Sequence, residues 1–156
     1  MDFIIKGDFV YSENQTVLRT FKDGYLVCLD GISQGIYDVI PDRYKDLEIC
    51  DYSGKLIIPG MVDLHIHAPQ YAFRGMHMDE ELLDWLKKYT FVEEGKYEDP
   101  EYARRAYSLF AGEMKKSATT RASIFGTMHR KATVILMEEM EKSGLVTYVG
   151  KVNMDR

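Results

Sequence analysis

Gly54-Lys55-Leu56-Ile57-Ile58-Pro59-Gly60-Met61-Val62-Asp63-Leu64-His65-Ile66-His67 is the stretch on which the reading of this chain turns. Side chains alternate between the two faces of a β-strand, so Asp63, His65 and His67 are expected on one face and Val62, Leu64 and Ile66 on the other. Two imidazoles then converge at one strand end, with the aliphatic residues buried under helices. Neutral imidazole is a common zinc ligand, so this is half of a metal site. An isolated His-x-His pair is weak evidence, and its surroundings have to carry the argument.

Outward from that stretch, composition sets broad bounds. The chain has 156 residues, 46% of them hydrophobic, enough for an ordinary globular fold with a real core. A net charge of −5 disfavours a nucleic-acid partner, and the pairs Arg104-Arg105 and Lys115-Lys116 read as solvated helix faces. No apolar run has membrane length, and Asp2 and Lys6 interrupt the short Phe3-Ile4-Ile5 segment, so neither a membrane span nor a signal peptide is expected. The reading is cytoplasmic. Cys28 and Cys50 are far apart without metal-ligand spacing, which fits reduced, structural thiols.

Residues 1–58 alternate in short β-rich pieces at 3–11, 16–22, 25–30, 35–40 and 48–51, with turn signals at Asp23-Gly24, Asp30-Gly31 and Pro41-Asp42. From residue 59 strands and helices alternate, which implies βα units and a parallel sheet. A helix over 80–89 has Leu82, Trp85, Leu86 and Tyr89 at helical spacing and Asp79 as a plausible N-cap. The next starts at Asp99-Pro100 and runs to about Lys116, with Ala103, Ala106, Tyr107, Phe110 and Met114 as its buried stripe. A second strand over 119–126, a helix over 131–142 ending before Gly144, and a third strand over 145–153 complete the pattern.

The stretch 54–67 resembles the first barrel strand of the amidohydrolase superfamily. Its continuation, His67-Ala68-Pro69-Gln70-Tyr71 and then Leu82-Leu83-Asp84-Trp85-Leu86-Lys87-Lys88-Tyr89-Thr90-Phe91, resembles the guanine deaminases within that superfamily. Tyr148-Val149-Gly150-Lys151-Val152-Asn153-Met154-Asp155 is similar to their third barrel strand. The resemblance runs along the whole chain and covers the first part of the family's length. It implies an α/β fold: residues 59–156 start a (β/α)8 barrel with three βα units, and residues 1–58 are the β-rich segment of a composite β-sandwich. Eight strands and about 250 residues close such a barrel, so the chain reads as truncated and, alone, as inactive.

The resemblance also implies a chemistry. One divalent metal, zinc or alternatively ferrous iron, would be held by His65 and His67 with later histidines and an aspartate. Zinc lowers the pKa of water to about 7, and the resulting hydroxide would attack C2 of guanine, giving xanthine and ammonia in purine catabolism. The acid-base residues match nothing here and are expected downstream. His67, Ala68, Pro69 and Gln70 match the substrate-binding segment, and the Gln70 amide offers donors and an acceptor to a purine edge. Trp85 is expected either at the pocket or in plain core. Asp63 is expected to support the barrel interior or orient a ligand imidazole. His77 reads as a loop residue, and His129, which follows the second strand, reads first as structural, with a place at the pocket rim as the alternative. The full-length enzyme is expected to be a homodimer.

One departure stands out: Ala118-Thr119-Thr120 replaces a Gly-Thr-Thr turn, and a Cβ would strain a positive-φ turn. Two alternatives remain at this point. Another deaminase or chlorohydrolase of the superfamily, acting on purines or triazines, would share His65 and His67 without needing Gln70 or the Trp85 segment. A non-catalytic truncated domain would hold zinc poorly. The cytidine-deaminase type of site, His-x-Glu with Pro-Cys-x-x-Cys, is absent from the sequence.

Overall fold

The structure, a computed structural model, describes residues 2–153 and divides after Pro59 into two compact units. The first unit is a four-stranded sheet of β1 (Phe3–Ser12), β2 (Leu18–Leu29), β3 (Ile32–Tyr37) and β4 (Glu48–Ile57) in the order β3-β2-β1-β4. β1 and β2 are antiparallel, as are β2 and β3, while β4 runs parallel to β1. Ile4, Val27 and Tyr44 form its buried core.

Asp23-Gly24 does not separate two strands as expected. Gly7 faces Gly24 and Phe9 faces Phe21, so β2 carries one extra residue and stays continuous through a bulge. Asp23 takes φ 54° there, and its N–H donates to Asp8 Oδ1 at 2.9 Å. β4 likewise runs beyond 51 to Ile57, and β3 starts at Ile32 rather than at 35. Cys28 lies opposite Phe3 and Cys50 opposite Ile5, on the two strands that flank β1, and both thiols are free.

The second unit is a parallel sheet of β5 (Met61–His67), β6 (Thr119–Phe125) and β7 (Val146–Gly150), in that order. Between β5 and β6 lie a 3-10 turn Ala68–Phe73, α1 (Leu82–Trp85), a π-helical turn Leu86–Thr90, α2 (Phe91–Gly95), a 3-10 turn Lys96–Glu98 and α3 (Pro100–Lys116). α4 (Arg130–Ser143) joins β6 to β7. The described residues thus hold two complete βα units and a third strand, where three complete units were expected. Met154 and Asp155 of the third-strand motif lie outside the described residues.

Local chemistry explains the two long helices. The Asp99 carboxylate accepts the Glu101 N–H at 2.9 Å and Pro100 fills the first turn, so α3 starts where the sequence placed it. Gly144, at φ 76°, ends α4 in the left-handed conformation that a side chain would strain. Ala103, Tyr107, Phe110 and Met114 of α3 and Ala132, Ile135, Leu136 and Met140 of α4 bury Ala122 and Ile124 of β6. Arg104 bridges the pair at the surface, 3.2 Å from Glu138 on α4.

The shorter helical segment departs from its reading. It begins at Leu82 with Glu81, not Asp79, in the capping position, and no side chain caps it. Leu82 is 68% exposed rather than core. Ala118 has no positive φ, so the strain anticipated there is absent, and its carbonyl accepts the Met61 N–H at 2.9 Å to start the β5–β6 pairing. Among the described residues no helix is long and apolar enough to cross a membrane.

Pro59-Gly60 delivers the chain into β5, and a Cβ on Gly60 would collide with the Thr120 side chain. Gly60→Ala is therefore expected to destabilise the protein by about 1–3 kcal/mol through overpacking at the strand entry. Urea unfolding followed by the fluorescence of Trp85, the single tryptophan, measures it, and an unchanged midpoint contradicts the close approach.

Candidate metal and substrate site

β5 carries its chemistry to the C-terminal end of the parallel sheet, the end at which barrel enzymes build active sites. The Nε2 atoms of His65 and His67 lie 3.1 Å apart. Two ligands each 2.0–2.1 Å from one zinc ion at a tetrahedral angle are about 3.3 Å apart, so one ion can bridge this pair. Phe125, the register partner of His67 at the end of β6, holds both rings, with centroids 4.8 Å from His65 and 4.9 Å from His67. Burial, and beside it the His65 ring, hold the His67 pKa below the usual histidine range. A ligand imidazole must be neutral, and His67 is neutral at physiological pH without help. Among the described residues no three or more His, Cys, Asp or Glu side chains converge on one point. The donors present fit a divalent ion as two members of a ligand set.

The alternation read from the sequence breaks inside β5. Asp63 pairs with Ala122 and Ile66 with Ile124, so β5 spends three residues where β6 spends two. This bulge sets Asp63 beside a helix-facing residue, off the face that carries His67 and Phe125. Its carboxylate accepts the His65 backbone N–H at 3.0 Å instead of an imidazole N–H. Leu64, expected under helices, is 76% exposed, while Ile66 packs against the core.

The turn that follows is pinned from behind. Ala68 and Pro69 are buried, the Tyr97 hydroxyl donates to the Pro69 carbonyl at 3.0 Å, and the Phe73 and Trp85 rings meet at 5.9 Å. Gln70 Nε2 donates to Glu94 Oε1 at 3.4 Å. Glu94 is 7% exposed, and burial raises its pKa while the Gln70 amide pulls it back. Gln70, Phe73, Met76, His77, Leu82 and Trp85 line one cavity of about 420 Å³. Gln70 and Trp85 are thus brought together, and His77 joins them, stacked at 3.5 Å on Tyr89. His129 lies at the capping position of α4, in a separate groove with Glu98 and Arg130. Phe125 and Glu94 are the site residues that the sequence reading missed. A period-two count to the end of β6 would have found Phe125, and Thr90, Glu94 and Tyr97 share a helical face at i, i+4 and i+7.

Residues 56–156 match the model of the amidohydrolase family. The chain belongs to that family. Among amidohydrolases, guanine deaminase from Rattus norvegicus is 38% identical over 97% of this chain and 36% of its own length. A crystal structure of guanine deaminase from C. acetobutylicum, with guanine bound in the active site, superposes with a TM-score of 0.93. It is 41% identical, over 99% of this chain and 37% of that one. Atrazine chlorohydrolase from Arthrobacter aurescens, complexed with zinc, shares the fold at a TM-score of 0.79 and 16% identity, over 96% of this chain and 35% of its own. The chain therefore spans little more than a third of the length of these relatives.

Glu94 gives a stability test. A carboxyl whose folded pKa is raised is disfavoured increasingly as pH rises from 4.5 through the folded value. Glu94→Gln, which keeps the shape and an acceptor, is expected to raise the urea midpoint at pH 7, with a gain that shrinks at pH values where the wild-type carboxyl holds its proton. A midpoint lower than wild type at pH 7 would show that the charge is stabilising.

Proposed function

We propose that this chain is the metal-binding and purine-binding start of a hydrolase that deaminates guanine to xanthine and ammonia with zinc as its metal. One observation carries the reading: a bridgeable imidazole pair, His65 and His67, and a cavity-lining amide, Gln70, stand within six residues of each other. A guanine deaminase similar to 99% of this chain holds guanine in its active site. The cavity beside Gln70 falls in the ~300–1,000 Å³ range of small-molecule sites.

On this reading His65 and His67 hold the divalent ion, zinc first and ferrous iron as the other candidate. When bound, such an ion makes water acidic enough to supply hydroxide near neutral pH, about 7 for zinc. The remaining work in this chain is positioning. Phe125 packs on both imidazoles and keeps solvent from that side. Ala68 and Pro69, buried and tied to Tyr97, fix where the turn leaves His67. The Gln70 amide reads a purine edge, and Phe73 and Trp85 supply apolar wall. The proton transfers to the ring and to departing ammonia belong to residues outside this chain. Residues 1–58 then contribute to a composite β-sandwich and residues 59–156 to the barrel of a cytoplasmic homodimer.

The test uses an enzyme carrying this segment with a complete barrel, assayed for xanthine and ammonia. His65→Ala is expected to lose metal and activity together. Gln70→Ala is expected to keep its metal and raise KM for guanine by about 5- to 150-fold, the equivalent of a buried polar edge left unpaired at about 1–3 kcal/mol. Wild-type enzyme that makes no xanthine, or His65→Ala that keeps both metal and turnover, defeats the reading.

Residues 1–156 alone are expected to release no ammonia from guanine above background, because two imidazoles are an incomplete ligand set. Zinc-dependent xanthine production by the isolated chain would place the missing ligands within it, with His77 and His129 the first residues to substitute.

A further inference from the structure

Glu94 is a carboxylate in the wrong place for stability. It is 7% exposed, and no basic side chain among the described residues lies within ion-pair distance of it. Its hydrogen-bond partner is the Gln70 amide. A buried charge without a counter-ion is destabilising unless other bonds offset it, and a leucine or methionine would fill the same space at lower cost. Its neighbours on the helix face do local structural work: Thr90 is buried one turn before it, and Tyr97, one turn after, holds the Pro69 carbonyl. Helix and turn are therefore tied at two adjacent points, through the backbone at Pro69 and through the side chain at Gln70.

We infer that Glu94 is the positioning residue for Gln70, fixing the amide so that its carbonyl oxygen and one N–H face the purine. This rests on the guanine reading given above. A carboxylate only accepts hydrogen bonds, so the amide must turn its NH2 group toward Glu94. The amide carbonyl then points away from Glu94 as an acceptor, the complement of a ring or exocyclic N–H on the substrate. Left free, the amide samples both orientations, and a purine edge that mixes donors and acceptors meets the wrong one part of the time. Glu94 touches neither substrate nor metal on this account and acts through Gln70.

The test is a double-mutant cycle on the zinc-loaded enzyme carrying this segment with a complete barrel. Glu94→Leu is expected to raise KM for guanine about tenfold, with kcat and zinc content little changed. In a Gln70→Ala background the same substitution is expected to add less than about twofold, because the group it positions is gone. Glu94→Gln, which still offers an acceptor, is expected to keep most of the wild-type KM. Should Glu94→Leu fail to fold, Glu94→Met, unbranched and of similar length, takes its place in the cycle. Equal losses in both backgrounds, or a loss confined to kcat and metal content, overturn this inference and leave the guanine reading standing. Absence of xanthine from the wild-type enzyme overturns both.

Discussion

The parallel pairing of β5 with β6 is the constraint on which the rest of this molecule depends. Parallel neighbours cannot be joined by a tight turn, so the chain must leave the end of β5, cross over the sheet and re-enter at the start of β6. Everything between His67 and Thr119 is that crossover. Its helix α3 buries Ala122 and Ile124 on one face of the sheet and leaves Phe125 on the other, against the two imidazoles. Burial of the helix side and geometry of the ring side are consequences of one register.

The crossover is longer than connectivity requires, and the extra length forms the wall of the site. The turn Ala68–Phe73 sits directly after the second imidazole, and the segment Trp85–Tyr97 lies behind it with an aromatic contact, a hydroxyl-to-carbonyl bond and an amide-to-carboxylate bond. Two of these three ties are polar, one buried and one partly buried, the kind that specify an arrangement more than they stabilise it. The apolar side of the crossover supplies the fold, and its polar side supplies the aim.

What was readable in the sequence followed from periodicity and capping. Asp99-Pro100 and Gly144 mark helix ends with chemistry that needs no tertiary context, and the stripe Ala103, Tyr107, Phe110, Met114 repeats at helical spacing; all appear in the structure. His65 and His67 share a face because two is the strand period. The bulges at Asp23 and after Asp63 were not readable, since an added residue in a strand leaves the local composition unchanged and is fixed by the partner strand. Asp63 and Leu64 were misassigned for that reason. Glu94 was missed because an acidic residue on an amphipathic helix reads as solvated; its burial is decided by a turn more than twenty residues earlier in the chain.

The π-helical turn Leu86–Thr90 gives the wall its phase. Closing over five residues instead of four, it stacks Trp85 and Thr90 along one side of the helix, where regular α-helix would set them about 140° apart. Both are turned inward, Trp85 partly and Thr90 fully. The turn works as a single-residue insertion that the helix has absorbed, and it rotates all that follows, Glu94 and Tyr97 included, by about a quarter turn. A change in its length swings the polar contacts off the turn Ala68–Phe73. In such a segment the number of residues constrains the fold more than their identity does.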